Sequence, residues 1–259
     1  MPVQLVLLIV LLNMMSFRAS KVLISLFAIE LGASQFLIGV LVALYSLFPV
    51  LLALYAGKLS DRFGVRVPMI VGSVGIAAGL AVPFLSQSLT ALCASAVVIG
   101  VFHMMYNVSM QNLVGSLGGP EARTRNFSNY ALAMAFGSFI GPMSAGFSID
   151  YFGHATSYLY FAVFPLAPAL IMAFSRSTAG GRRVKSEEEQ AVLSASLLSN
   201  PILRRTLIAS AVATTAQDLF QFYMPIYGHS IGLSASAIGM VLGAFAVAAF
   251  VVRLVMPAL

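Results

Sequence analysis

The sequence predicts an all-α polytopic membrane protein, and three observations carry that expectation. Of the 259 residues 60% are hydrophobic and 8% charged, with a mean hydropathy of +0.97. A soluble domain carries charge at about a quarter of its positions. The apolar residues fall into runs of about twenty, the length a helix needs to cross a hydrocarbon core of ~30 Å. These runs neither alternate with period two nor stop near ten residues, which argues against barrel strands. The basic residues, finally, collect in alternate connections between the runs, as they do in multi-pass chains.

Spans are expected near residues 4–29, 36–56, 68–87, 89–113, 127–149, 155–175, 205–228 and 237–257. Glu30 to Gln35, with Gly32 and Ser34, makes a tight polar turn after the first. Gly57 to Arg66 is a charged turn that belongs in water between the second and third. Gly115 to Asn126, with Gly118-Gly119-Pro120, Arg123 and Arg125, separates the fourth from the fifth, and Asp150-Tyr151-Phe152-Gly153-His154 closes the fifth. From Ser175 to Pro201 the composition changes to Gly180-Gly181, a basic cluster and Glu187-Glu188-Glu189. Residues 187–198 form either an amphipathic surface helix or part of a solvated linker.

Lys58, Arg62 and Arg66 share one connection and Arg123 and Arg125 the next on that side. Arg176, Arg182, Arg183, Lys185, Arg204 and Arg205 fall in or beside the long one. The opposite connections hold Glu30, Asp150, His154 and His229 and no Lys or Arg. This asymmetry predicts a cytoplasmic N-terminus and explains the net charge of +6 and pI near 9.7 without a nucleic-acid partner. Cys93 is the only cysteine, so neither a disulfide framework nor a thiolate metal site is expected. Met1-Pro2-Val3-Gln4 lacks a basic n-region, so no cleavable signal peptide is expected, and the abrupt start suggests that a few residues precede it.

Two motifs carry a family resemblance. Gly57-Lys58-Leu59-Ser60-Asp61-Arg62-Phe63-Gly64-Val65-Arg66 resembles the signature loop between helices 2 and 3 of major facilitator superfamily transporters, Gly-x-Leu-x-Asp-Arg-x-Gly-x-Arg. In the fifth run, Gly137-x-x-x-Gly141-Pro142-x-x-Ala145-Gly146 resembles the helix-5 antiporter motif of that superfamily's exporters. Ala145 stands where the first closing glycine is expected. Small residues four apart also pack membrane helices in general, so simple packing is the other reading, with Pro142 bending the span.

The chain also repeats itself. Gly32-x-Ser34-x-x-x-Ile38-Gly39 recurs at an offset of 200 residues as Gly232-x-Ser234-x-x-x-Ile238-Gly239, and Pro257-Ala258-Leu259 then falls opposite Gly57-Lys58-Leu59. Parallel six-helix halves related by an axis along the membrane normal are the symmetry of this superfamily. The resemblance thus implies a six-helix bundle over 1–175, a cytoplasmic linker over 176–204 and an incomplete second bundle over 205–259. That is roughly eight helices of the expected twelve. It also implies that Gly57, Asp61, Arg62, Gly64 and Arg66 gate the cytoplasmic side, part of that lock coming from an absent helix 11. Helices 1 and 7 are implied to face each other across a central cavity.

Ionisable groups within spans cost about 2.5–3.5 kcal/mol each at mid-membrane, which makes them candidate functional residues. Asp218 is the only acidic residue inside a run, Arg18 and Lys21 lie deep in the first, and Arg253 can snorkel from the end of the eighth. At the 200-residue offset Arg18 and Asp218 are equivalent. Arg18 and Lys21, three apart, share a helix face that water, Asp218 or an anionic ligand must compensate. His103, Asn107 and Gln111 form a stripe at i, i+4 and i+8 beside Tyr106, and Thr214, Gln217, Asp218 and Gln221 form another.

The expected cavity residues are therefore Arg18, Lys21, His103, Asn107, Asp218 and Gln221. Asp218 is read as a proton-coupling carboxylate, or else as half of an ion pair that merely joins two helices. Arg18 or Lys21 would anchor a negatively charged solute group. His103 either relays protons or packs with its nitrogens hydrogen-bonded.

The expected function is secondary transport of a small organic solute by alternating access, by proton antiport in the outward direction. The alternatives are uptake of an organic anion by proton symport and a non-transporting membrane protein or truncated fragment. No cofactor, metal or enzymatic activity is expected. The expected partners are the solute, protons and the lipid bilayer, for a monomer in a bacterial inner membrane.

Overall fold

The computed structural model describes residues 3–118, 120–174 and 201–255. The expected surface helix, the basic cluster before it and Pro257–Leu259 lie outside the described residues. Among the described residues the regular elements are α-helices: α1 (Val3–Glu30), α2 (Gln35–Phe63), α3 (Arg66–Leu85), α4 (Leu89–Ser116), α5 (Pro120–Phe152), α6 (His154–Val163), α7 (Leu166–Phe174), α8 (Pro201–Ser230) and α9 (Ala235–Val255). Seven described stretches are long and apolar enough to cross a membrane, α6 and α7 together making one of them. The remaining helix, α8, is 30 residues long and carries Thr214, Thr215, Gln217, Asp218 and Gln221 along its middle.

Three boundaries differ from expectation, each for a local reason. The charged turn after the second run is mostly helix, because α2 continues through Asp61 and Arg62 to Phe63 and only Gly64 and Val65 turn. Nothing between Gly57 and Phe63 breaks a helix outright. Gly64 at φ 73° is the first residue in a conformation that side chains disfavour, and Arg62 sits favourably in the last turn against the negative end of the helix dipole. α5 begins at Pro120, a residue suited to the first helical position, so Glu121 to Asn126 belong to that helix and not to a loop. The sixth run breaks at Phe164-Pro165 into α6 and α7, where proline cannot donate to the ladder.

The repeated motif repeats its backbone. Leu31, Gly32 and Ala33 donate to the carbonyls of Phe27, Ile29 and Ala28 at 3.0, 2.9 and 2.9 Å. Ile231, Gly232 and Leu233 donate to Tyr227, His229 and Gly228 at 3.2, 3.0 and 2.9 Å. Gly32 and Gly232 stand at φ 76° and 79°, the left-handed conformation that closes a helix and that glycine adopts without a Cβ clash. Ser34 and Ser234 then cap the next helix, accepting from Leu37 and Ala237. Ile38 and Ile238 are both buried.

Small residues decide which helices meet. On α3, a methyl group added to Gly72 would stand 2.8 Å from the Cβ of Tyr106, and one on Gly79 would stand 2.7 Å from Ile99, so α4 lies directly on this face. α5 is the central member. Its Gly137 and Gly141 face α1, where a methyl on Gly141 would stand 2.6 Å from the carbonyl oxygen of Met15. Its Gly146 meets the carbonyl of Ala235 at the start of α9, and a methyl on Gly239 of α9 would stand 2.5 Å from the carbonyl oxygen of Pro142. The apolar core runs through these contacts and includes Ile9, Leu23, Ile76, Leu92, Ile99 and Phe161.

Several buried hydroxyls and amides find partners in the packing, as most groups away from water do. Ser95 donates to Gly79 O at 2.7 Å, Ser148 to Ser157 at 2.7 Å and Asn13 Nδ2 to Ser73 Oγ at 3.2 Å.

Packing of α8 and α9 against the other helices concentrates at the end that carries Glu30 and Asp150. Pro225, Ile226, Gly228, Ile238 and Gly239 are buried there, whereas residues 204–216 of α8 are exposed throughout. Gly141→Val is expected to destabilise the fold by about 1–3 kcal/mol, because neither backbone can retreat without breaking its ladder. Gly57→Ala, at a position with no described atom within 4 Å of an added methyl, should not destabilise it. Thermal unfolding in detergent reads both.

Candidate functional site

Arg18 and Lys21 project from the middle of α1, and α8 answers them in a crossed arrangement. Lys21 Nζ donates to Asp218 Oδ1 at 3.1 Å, and Arg18 Nη1 donates to Gln221 Oε1 at 2.7 Å. The side chains of Lys21 and Asp218 are 16% and 44% exposed, so the lysine is the member drawn out of water. Under the 200-residue offset Arg18 corresponds to Asp218 and Lys21 to Gln221. Each α1 residue therefore meets the counterpart of the other, which is the contact rule of a two-fold interface. These two hydrogen bonds thus run along the diagonals of the repeat.

Phe17 builds the floor of this group. Its ring stacks on His103 with centroids 3.5 Å apart and planes at 3°. Tyr45 meets its edge at 6.0 Å, and Lys21 Nζ lies 5.4 Å from its centroid. An ammonium near an aromatic face gains from the ring quadrupole, most where water is excluded. The His103 ring is buried, and its Nδ1 has no hydrogen-bond partner among the described residues.

The stripe on α4 divides in function along its length. His103 belongs to the Phe17 stack, whereas Asn107 Oδ1 accepts from Gln111 Nε2 at 2.6 Å and from the Tyr130 hydroxyl of α5 at 3.3 Å. Tyr106 turns inward and donates to Ile9 O at 3.2 Å. On α8, Thr214 is exposed and donates to Ser210 O at 2.8 Å. Together α1, α4 and α8 thus bring Arg18, Lys21, Asp218, Gln221 and His103 into one polar group, with Lys21 and His103 against the ring of Phe17.

The Gly57–Arg66 segment divides as well. Arg66 Nε and Nη2 donate to the carbonyl oxygens of Met172 and Ala173 at 2.9 and 2.5 Å, tying the start of α3 to the last turn of α7. The Arg62 guanidinium lies 5.3 Å from the ring of Phe63. It also borders a cavity of about 330 Å³ between α2 and α4, lined mainly by Leu52, Tyr55, Leu59, Met104 and Met105. Gly57 lies within α2 and Gly64 ends it; the Asp61 side chain lies outside the described residues. Among the described contacts of Arg62 and Arg66 none reaches α8 or α9.

Two residues were not singled out by the sequence reading. Phe17 resembles any other core aromatic, and nothing in its spacing announces the stack. Asp150 accepts from the backbone of Ala235 and Ser236 at the start of α9, at 3.2 and 2.8 Å. It carried a readable signal: a carboxylate in the last turn of a helix opposes the dipole and requires an external partner.

A model of the Major Facilitator Superfamily matches residues 6–259. The chain belongs to that family of membrane transporters. Over 148 residues it is 25% identical to an uncharacterized MFS-type transporter of Methanocaldococcus jannaschii, a stretch covering 57% of this chain and 38% of that protein. Over 141 residues it is 26% identical to the multidrug resistance protein MdtH of Yersinia pestis, covering 54% of this chain and 35% of that one. The matched stretch thus spans little more than a third of the curated relatives' length.

Among solved structures, the fold is similar to a bacterial homolog of the human lysosomal transporter Spinster, described as inward-facing and unoccupied. The TM-score is 0.76 and the identity 17%, over 99% of this chain and 63% of that one. A D-xylose–proton symporter gives a TM-score of 0.65 at 14% identity, over 93% and 65%.

The stack makes a testable demand on this site. Phe17→Leu keeps apolar volume but removes the His103 and Lys21 ring contacts, and is expected to cost about 0.5–1.5 kcal/mol. Phe17→Tyr, which keeps the ring, should cost less in the same thermal unfolding measurement.

Proposed function

We propose that this chain belongs to a proton-coupled secondary transporter that exports a small organic solute by antiport. The observation that carries the reading is the ion pair between Lys21 of α1 and Asp218 of α8. It joins two helices from opposite repeats at the depth where an uncompensated charge is most costly. Protonation of Asp218 removes the counter-charge of Lys21 and loosens α1 from α8. Solute and proton then compete for one electrostatic position, which is what an exchanger requires.

The six-helix and two-helix parts, 1–175 and 205–259, are read as bundles that rock about this site, with 176–204 as a linker on the cytoplasmic side. The placement of Lys and Arg supports a cytoplasmic N-terminus in a bacterial inner membrane, and the protein is read as a monomer. Gly57, Asp61, Arg62, Gly64 and Arg66 are proposed to govern closure of the cytoplasmic side. The likeness of Gly137, Gly141, Pro142 and Gly146 to the exporter motif, and the distant multidrug resistance relative, favour the outward direction.

One observation favours a second reading, proton-coupled uptake of an organic anion: two cationic side chains, Arg18 and Lys21, stand together in the middle of α1 beside Gln221 and Asp218. In proteoliposomes of the full-length protein, an imposed proton gradient should drive a labelled cationic drug and a labelled monocarboxylate differently. Movement of the drug against the proton flux supports export, and movement of the carboxylate with the protons supports uptake. Asp218→Asn is expected to abolish proton-driven movement in either case, and unaltered coupling in that variant removes Asp218 from the mechanism.

A further inference from the structure

We propose that Asp150 is a positioning residue for the transport cycle, a clasp that holds the outer end shut by capping α9 from α5. The proposal rests on the alternating-access reading and places the Glu30/Asp150 end outside the cell.

Asp150 lies in the last turn of α5, where the helix dipole disfavours negative charge. Its two carboxylate oxygens accept from the first two amides of α9, Ala235 N at 3.2 Å and Ser236 N at 2.8 Å. The third amide, Ala237, is met by the helix's own Ser234. One carboxylate thus resolves the dipole conflict of its own helix by satisfying orphan donors of another.

The repeated turn supplies an internal control. At the equivalent start of α2, Ser34 caps Leu37 in the same way. The first two amides there, those of Gln35 and Phe36, take no side-chain partner among the described residues. Capping from a second helix is therefore not something the turn requires; it is particular to the α5–α9 junction.

What lies beneath the clasp allows separation. Next to the clasp Gly146 meets the Ala235 carbonyl and Gly239 meets Pro142 with no side chain between them, and the Phe139 ring packs on Gly243 only further along the seam. The clasp bonds are solvent-exposed, so water replaces them on opening. Beside them Glu30 pairs with His154, which stacks on Phe27 at 5.4 Å. That pair joins α1 to α6 and does not involve α9. Asp150 is the carboxylate at this end that crosses to α9, while α8 stands exposed over residues 204–216 at the other end.

Sidedness of labelling in the full-length protein tests the clasp. In a background with every cysteine, Cys93 included, replaced by serine, Gln217→Cys places one thiol beside Asp218, read with a membrane-impermeant maleimide applied to either face of oriented vesicles. Adding Asp150→Asn is expected to raise the labelling rate from the extracellular face about five-fold and to lower it from the cytoplasmic face. Asp150→Glu should stay near the parent. Ser234→Ala removes the other cap of α9 but crosses no helix boundary, and should leave sidedness unchanged.

Equal rates in the parent and Asp150→Asn overturn the proposal, as does an equal acceleration in Ser234→Ala, which would mark local fraying. Acceleration from the cytoplasmic face instead supports the clasp and overturns the orientation. Acceleration in a protein that moves no solute supports the clasp and overturns only the transport reading.

Discussion

A lysine and an arginine on consecutive turns of one apolar helix constrain everything around them. Each is too costly to leave bare within the hydrocarbon, and one helix has nothing with which to answer both. α8 answers with Asp218 and Gln221, and that requirement brings it to α1. The crossing of the two contacts follows from the repeat, since two copies of a helix meeting about an axis place each position opposite its neighbour's counterpart. The polar residues of α8 that lower its hydropathy are thus the same ones that fix where it docks.

Close approach is the second constraint. Charge complementarity over 3 Å works only where the backbones can come together, and α5 makes that possible by presenting glycine to α1 on one side and to α9 on the other. Gly137 and Gly141 set the α1 contact, whereas Pro142 and Gly146 set the α9 contact. The helix-5 motif is therefore a single element serving two seams, and the packing and family readings of it describe the same atoms.

The helical, multi-pass character was legible because twenty-residue apolar runs have few other uses. The repeat was legible because glycine and serine are needed at fixed places to end one helix and cap the next. Boundaries were less so. The charges of Lys58 to Arg62 suggested a loop, yet charged residues at a helix end satisfy the same demand for water without leaving the helix. Proline at 120 extended α5 backwards for a related reason, being compatible with a first turn. In the candidate site the sequence identified which charges must be compensated but not which partner each takes, since rotation about the helix axis decides that. Phe17 was illegible because stacking depends on a neighbour on α4, and Arg66 because its acceptors are main-chain carbonyls that carry no sequence signature.

The central claim is that compensating charge across α1 and α8 holds this molecule together at mid-membrane. Exchanging the charges tests it most directly: thermal unfolding of the full-length protein carrying Lys21→Asp, Asp218→Lys, or both. The account predicts that each single change lowers the midpoint and that the double change recovers much of the loss, a coupling of about 1–3 kcal/mol. Losses that simply add in the double variant would contradict it.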